Sequence, residues 1–275
     1  MPLTGVLYDW FEDIFSNKGF SSMEDVLTLS PSAGFSSAWT VVETVYNHVM
    51  VPIALSMMII WFCTKFMEKA TAEQVTFQQL FLLFVKLLIS KILIDNGLNI
   101  FGMMWSLGIS LVKEVGDVFR VAGWSNDLVK QMWYDYADIG AGDKLGLWRC
   151  ISTAFELLVP WLVSYVITGI CYYIAYTRLL EMFVRVCGAP LALSDFMSEG
   201  LNGAGWKYLK NFLAVCLQGM IIIIIARLHG AVLASAMGTG PDGFMAVVIC
   251  LAVSFATVGL MMKSLTLSKE LLGTA

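Results

Sequence analysis

Five stretches of this chain are apolar almost without interruption: 41–62, 77–93, 151–173, 211–232 and 244–262. Each is close to the roughly 20 residues with which a helix crosses the hydrocarbon core of a bilayer. The second continues, less purely, through 98–112. A helix over all of 77–112 would measure roughly 54 Å, against a core of about 30 Å. The pattern predicts either one long helix projecting from the bilayer or two spans broken at Asn96–Gly97. The N-terminus has a different rhythm. Leu3, Val6, Leu7, Trp10, Phe11, Ile14 and Phe15 recur at three- and four-residue intervals, with Asp9, Glu12 and Asp13 between them. That spacing predicts an amphipathic helix, lying on the membrane surface or packed against a neighbouring subunit. It carries no Lys or Arg before its apolar positions, so it does not read as a cleavable signal.

The predicted fold class is all-α: a polytopic membrane helix bundle of about five transmembrane helices, an N-terminal amphipathic helix and a central outer helical segment. Along the chain this gives an N-terminal outer segment, 1–40, and the first two spans, 41–112. An outer loop, 113–150, follows, and then a three-span region, 151–275.

Composition sharpens this picture. Of 275 residues, 58% are hydrophobic and 14% charged, whereas soluble domains carry about 25% charged residues. That opposes a water-soluble globular enzyme and a disordered chain alike. A net charge of −4 opposes a nucleic-acid binder of the basic-patch kind. The six cysteines, Cys63, Cys150, Cys171, Cys187, Cys216 and Cys250, form no CxxC pair, and the two histidines, His48 and His229, lie far apart. No disulfide framework, metal site or cofactor is expected.

Charge asymmetry orients the spans, because basic residues favour the cytoplasmic side. If 77–112 crosses once, the segments on one side hold eight Lys or Arg against six acids, among them Lys65, Lys69, Arg178, Arg185, Lys207 and Lys210. The other side, 1–40, 113–150 and 233–243, holds six against twelve. The expectation is five spans with the N-terminus outside and the C-terminus in the cytoplasm. The outer segment 113–150, with Trp124, Trp133, Trp148, Tyr134 and Tyr136, reads as short helices at the interface or at a protein contact.

Two catalytic patterns fail on spacing. Gly140-Ala141-Gly142-Asp143 with Tyr134-Asp135 imitates an intramembrane aspartyl protease, but both acids lie in one polar loop instead of facing each other from separate spans. No Ser stands in a GxSxG elbow, and no GxxxxGK loop exists to cradle phosphate. The polar residues inside spans are more informative, since a lone charge costs about 2.5–3.5 kcal/mol at the bilayer centre on insertion scales. Lys91, Asp95 and Asn99 share one helix face, where Lys91 and Asp95 can neutralise each other. Lys86 lies on another face, with Glu156 as its candidate partner across helices. Arg227 can snorkel from its span end. These residues with Gln218 read either as glue between helices or subunits, or as a polar path lined partly by Lys86, Glu156 and Gln218.

One further segment has a distinctive texture. Cys187-Gly188-Ala189-Pro190 is predicted to interrupt a helix, because Pro lacks a donor. Gly205-Trp206-Lys207-Tyr208-Leu209-Lys210 then leads into Leu217-Gln218-Gly219 and the aliphatic run Ile221–Ile225. This order of Ala189, Pro190, Gly205, Lys207, Tyr208, Lys210 and Gly219 resembles the TrbL family. The closing Lys263–Lys269 and the lysine-bearing second span are similar to that family too. A second proline that relatives often carry after Ala-Pro is absent. The resemblance implies a non-enzymatic, integral channel or scaffold subunit of a conjugative type IV secretion system in the bacterial cytoplasmic membrane. It would form a homo-oligomer in the lipid bilayer beside other secretion subunits, including separate ATPases, as DNA or protein substrate passes. The same spans would also serve a small-molecule or ion transporter, although no internal repeat of the transporter kind is present.

Overall fold

The computed structural model describes residues 2–16, 18–71, 77–118, 126–137, 146–237 and 243–273. Among them the regular elements are all helical. They are α1 (Pro2–Ser16), α2 (Lys18–Leu27), α3 (Pro31–Gly34), α4 (Ser36–Val45), α5 (Val51–Ala70), α6 (Phe77–Asp95) and α7 (Gly97–Val118). Then come α8 (Asn126–Ala137), α9 (Leu147–Ser194), α10 (Phe196–Glu199), α11 (Ala204–Met237), α12 (Gly243–Met262) and α13 (Ser264–Leu271). Among the described residues five helices are long and apolar enough to cross a membrane: Ser36–Ala70, Phe77–Asp95, Leu147–Ser198, Ala204–Met237 and Phe244–Met262. Their outer faces carry bare apolar side chains, such as Ile60 on α5, Phe81 on α6, Val159 on α9 and Phe255 on α12. In water such a surface would aggregate; in lipid it is the solvated surface.

The chain forms two compact units. The first comprises Met1–Thr28, Val112–Tyr176 and Met220–Ser264. Its core joins Leu7, Phe11, Ile14 and Phe15 of α1 to Trp133 of α8, Leu157 of α9, Leu233 of α11 and Cys250 of α12. The N-terminal helix is thus formed as expected, but its apolar face is covered by this chain's own helices. Trp10 stacks on Trp161 with ring centroids 4.9 Å apart, and Ser164 donates to the Asp13 carbonyl. Leu7, Trp10, Phe11, Ile14 and Phe15 pack against sequence-distant side chains that a periodicity cannot reveal, whereas Val6 stays exposed. Helix α2 is tied down by an ion pair: Arg227 Nη2 lies 2.7 Å from Glu24 Oε2. Gly116 of α7 leaves the room, because a Cβ there would sit 2.6 Å from Glu24 Oε1.

The second unit comprises Leu29–Leu111, Thr177–Gly219 and Leu265–Ala275. Helix α4 passes into α5 through a π turn, Tyr46–Met50, in which Val51 N–H bonds the Tyr46 carbonyl. The turn absorbs Pro52, which has no N–H for an ordinary helical bond. Contacts along this rod fix its direction against α6 and α7. Phe62 meets Phe84, Tyr46 donates to the Ile94 carbonyl (2.8 Å), and Trp39 packs edge-on against Trp105. As α4–α5 is followed forward, its partners run steadily backward along both α7 and α6. The stretch from Phe77 is therefore broken at Asn96 but does not double back. Asn96 Nδ2 turns to the Ile92 carbonyl, and Gly97 leaves space that the Tyr46 hydroxyl occupies. Helix α7 buries Phe101, Trp105, Ile109 and Val112 on one face, so it serves as a packing helix.

Candidate functional site

The residues of the Ala-Pro and Tyr-Leu-Lys segments meet in the second unit, where α9 and α11 form an antiparallel pair. The prolyl segment does not end its helix: α9 runs unbroken through Ala189 and Pro190, both buried, to Ser194. Pro190 removes the N–H that would serve the Val186 carbonyl. At the adjoining carbonyl, Arg185, the hydroxyl of Tyr208 donates a hydrogen bond from α11. A Cβ on Gly188 would lie 3.4 Å from that hydroxyl oxygen, an ordinary contact.

Two more locks hold the pair. At the turn, the Asp195 carboxylate accepts from Ser198 Oγ and from Ala204 N, each at 2.7 Å. It caps the first turn of α11 from nine residues away, satisfying one of the otherwise orphaned amides. The turn includes Gly200 at φ 64°, a left-handed conformation that favours glycine. Gly205 lies against the Ala192 carbonyl and the Phe196 ring, each within 2.6 Å of where its Cβ would be. Two helical turns along the pair, Arg178 is 4% exposed. Its Nε donates to the Val215 carbonyl (3.1 Å) and its Nη2 to the Cys216 carbonyl (3.2 Å). A Cβ on Gly219 would lie 2.6 Å from Nη2, so the missing side chain opens the Val215 carbonyl to the guanidinium. From the other side Gly108 of α7 packs on the Cys216 carbonyl, 2.9 Å from its would-be Cβ. Two glycines and one arginine thus set a close three-helix contact.

The remaining predicted residues divide as follows. Lys207 is exposed on α11, and Lys210 places its ammonium 5.8 Å from the Trp206 ring centroid. Gln218 is buried beside Gly219. Lys86, half-buried on α6, reaches toward the Gly200 turn, its Nζ 3.9 Å from where a Cβ on Gly200 would stand. Lys91, Asp95 and Asn99 all stay exposed, and Lys91 and Asp95 form no ion pair. Spacing of i and i+4 permits such a pair but, at about 0.3–0.5 kcal/mol, does not compel it. Glu156 belongs to the first unit, where its carboxylate accepts from the Tyr136 hydroxyl at 2.9 Å. Burial, with the neighbouring Glu156 adding to it, raises the Tyr136 phenol above its ordinary range, so it remains a donor at neutral pH. Lys86 and Glu156 thus have separate neighbours in separate units.

Sequence reasoning missed Arg178, which it counted among loop cations, and the cap at Asp195. The signal for Arg178 was present: a single cation inside the apolar run 166–184, with a glycine in an equally apolar partner helix. Of the protease imitation, Tyr134 and Asp135 lie on α8, while 140–143 fall outside the described residues. Among the described residues no three His, Cys, Asp or Glu side chains converge on a metal site.

Five helices long and apolar enough to cross a membrane, found among the described residues, define an integral membrane protein. A family model described as TrbL/VirB6 plasmid conjugal transfer like protein matches residues 16–190. The chain belongs to that family. The match contains the lysine-bearing second span and Ala189-Pro190 but stops short of Gly205–Gly219. No curated protein and no solved structure matches the chain.

Proposed function

We propose that this protein is a non-enzymatic channel or scaffold subunit at the cytoplasmic-membrane base of a conjugative type IV secretion system. It assembles as a homo-oligomer with other secretion subunits. DNA or protein substrate passes beside or through that assembly, and separate ATPases supply the energy. The observation that carries this reading is a conjugal-transfer family match over most of the chain, joined to five helices fit to cross a membrane.

We read the N-terminus as outside and the C-terminus as cytoplasmic. Charge supports this, and so does the second unit's geometry. Its α4–α5 rod and α9 run in parallel, which brings Lys65 and Lys69 to the same end as the turn after Ser194. The clasp of Tyr208, Asp195 and Arg178 holds α9 and α11 together, leaving Lys207 at the cytoplasmic end for a partner.

The test is complementation and co-purification. Transfer should fail without the gene and return with it, and the tagged protein should isolate with other transfer subunits or as a ring-like homo-oligomer. Lys86→Leu should impair transfer while insertion persists. A monomer that moves a solute alone in vesicles would sink the proposal.

A further inference from the structure

Helices α4 and α7 pack on the core of the second unit by one face each and leave the opposite face bare. On α4, Val42 and Tyr46 are buried, whereas Ser36, Thr40, Glu43, Thr44 and Asn47 are exposed. Among the exposed residues of 36–48 only Val41 is apolar. On α7, Phe101, Trp105 and Ile109 are buried, whereas Asn99, Ser106 and Ser110 are exposed, with Met103 and Leu107 between them. These polar positions recur at steps of three, four and seven residues, so each set lies along one side of its helix. The α5 half of the same rod differs, for it bares chiefly apolar side chains such as Ile53, Ile59 and Ile60.

Both polar faces run beside apolar spans. Glu43, Thr44 and Asn47 belong to the stretch 41–62. Phe101 packs edge-on against Phe212 at 4.6 Å, and Gly108 lies against the Cys216 carbonyl, so Ser106 stands alongside the stretch 211–232. The rings of Trp39, Trp105 and Phe183 cluster with centroids 5.3, 6.4 and 6.4 Å apart, which fixes one common level. Beside Phe183, α9 exposes Leu180 and Val184 by 60% and 71%, next to a Glu181–Arg185 pair closed on itself. Beside Trp39 and Trp105, α4 and α7 expose Thr40, Glu43 and Ser106. One level thus bears bare aliphatic groups on one helix and bare polar groups on two others. Bulk water all round would leave the first uncovered, and lipid all round would leave the second unsolvated.

The hydroxyls alone do not decide between water and lipid. Thr40, Thr44, Ser106 and Ser110 each donate to a carbonyl of their own helix, at 2.9, 2.8, 2.8 and 3.0 Å. Glu43, Asn47 and Asn99 do decide. The Glu43 carboxylate accepts from Trp39 Nε1 at 2.6 Å and stays exposed, and hydrocarbon offers no partners to a carboxylate or to an amide. Ionised groups in a span face the bundle interior or a water-filled cavity, and the interior of this unit lies on the other side of α4. A second copy pressed dry on these faces would strand the same groups, with only Val41, Met103 and Leu107 as apolar anchors, whereas the core of an interface is apolar.

We propose that the bare faces of α4 and α7 line a water-filled passage, walled by Thr40, Thr44, Asn47, Asn99, Ser106 and Ser110. This deepens the proposed role, on which it rests, by naming the side of the subunit that the substrate passes.

The test is reaction of single cysteines with a charged methanethiosulfonate, in membranes of opened cells that carry the other transfer genes. The full chain holds Cys63→Ser, and modification is counted by mass. Thr40→Cys, Ser106→Cys and Ser110→Cys probe the two faces, and Leu180→Cys and Val184→Cys are controls at the same level. All five positions are exposed on helix surfaces, so the substitutions spare the packing. The three face cysteines should react at least about tenfold faster than the controls, because a thiol in apolar surroundings ionises poorly and only the thiolate reacts. Face cysteines as slow as the controls would overturn the proposal, and oxidative cross-linking of Ser106→Cys between copies would then give the face to a second copy. Controls as fast as the face cysteines would overturn it too, since the level would lie in bulk water. Failed complementation or co-purification with the labelling pattern intact would sink the transfer role instead and leave a hydrated face.

Discussion

At the scale of single residues, the helix-to-helix locks of the second unit are directed at backbone. Arg178 holds Val215 and Cys216 carbonyls, Asp195 holds an amide, and Tyr208 and Tyr46 each hold a carbonyl of another helix. In lipid these bonds are favoured because water is not there to compete for either partner. Glycine makes room for two of them, Gly219 for Arg178 and Gly97 for Tyr46. Gly219→Ala should therefore destabilise the α9–α11 pair by about 1–3 kcal/mol, the usual penalty for overpacking. Thermal unfolding in detergent measures it. A midpoint equal to that of the unmodified chain would show that Arg178 does not depend on the missing side chain.

At the scale of elements, hydrophobic runs locate the spans and local chemistry decides how they end. Helix α9 continues through Pro190, which leaves the Val186 carbonyl without its usual N–H partner. A tyrosine from α11 serves a carbonyl there as well. Helix α11 begins where Asp195 can reach Ala204 N. Asp195→Ala should cost about 0.5–2 kcal/mol, as lost N-caps do. It should also raise hydrogen exchange at 196–204 while leaving α12 unaffected. Exchange that stays unchanged over that turn would remove the cap from the account. Helix α6 ends at Asn96 for a reason the sequence shows, an Asn-Gly pair. That it resumes in the same direction depends on Tyr46, Trp39 and Trp105.

At the scale of the whole molecule, the proposed topology of five spans puts the chain's ends on opposite sides of the membrane. Single cysteines check it in a chain whose exposed native thiol, Cys63, is replaced by Ser. Trp148→Cys, at the exposed start of α9, should react with a membrane-impermeant maleimide in intact cells. Asn202→Cys, exposed at the α9–α11 turn, should react only after the cells are opened. Labelling of both in intact cells would contradict a single crossing between them.

Membership of a helical membrane class was legible in the sequence because lipid imposes a one-dimensional rule, about 20 apolar residues per span with few charges. The five spans, the break at Asn96–Gly97 and the Ala-Pro and Tyr-Leu-Lys residues were all within reach of that rule or of motif order. Which residues touch was not. The partners Lys86–Gly200, Glu156–Tyr136, Arg227–Glu24 and Arg178–Gly219 are separated by up to 203 positions. An apolar face is satisfied by any apolar mate, and only packing in three dimensions selects which one; a buried polar group likewise accepts whichever backbone or side-chain atom the folded helices bring within reach.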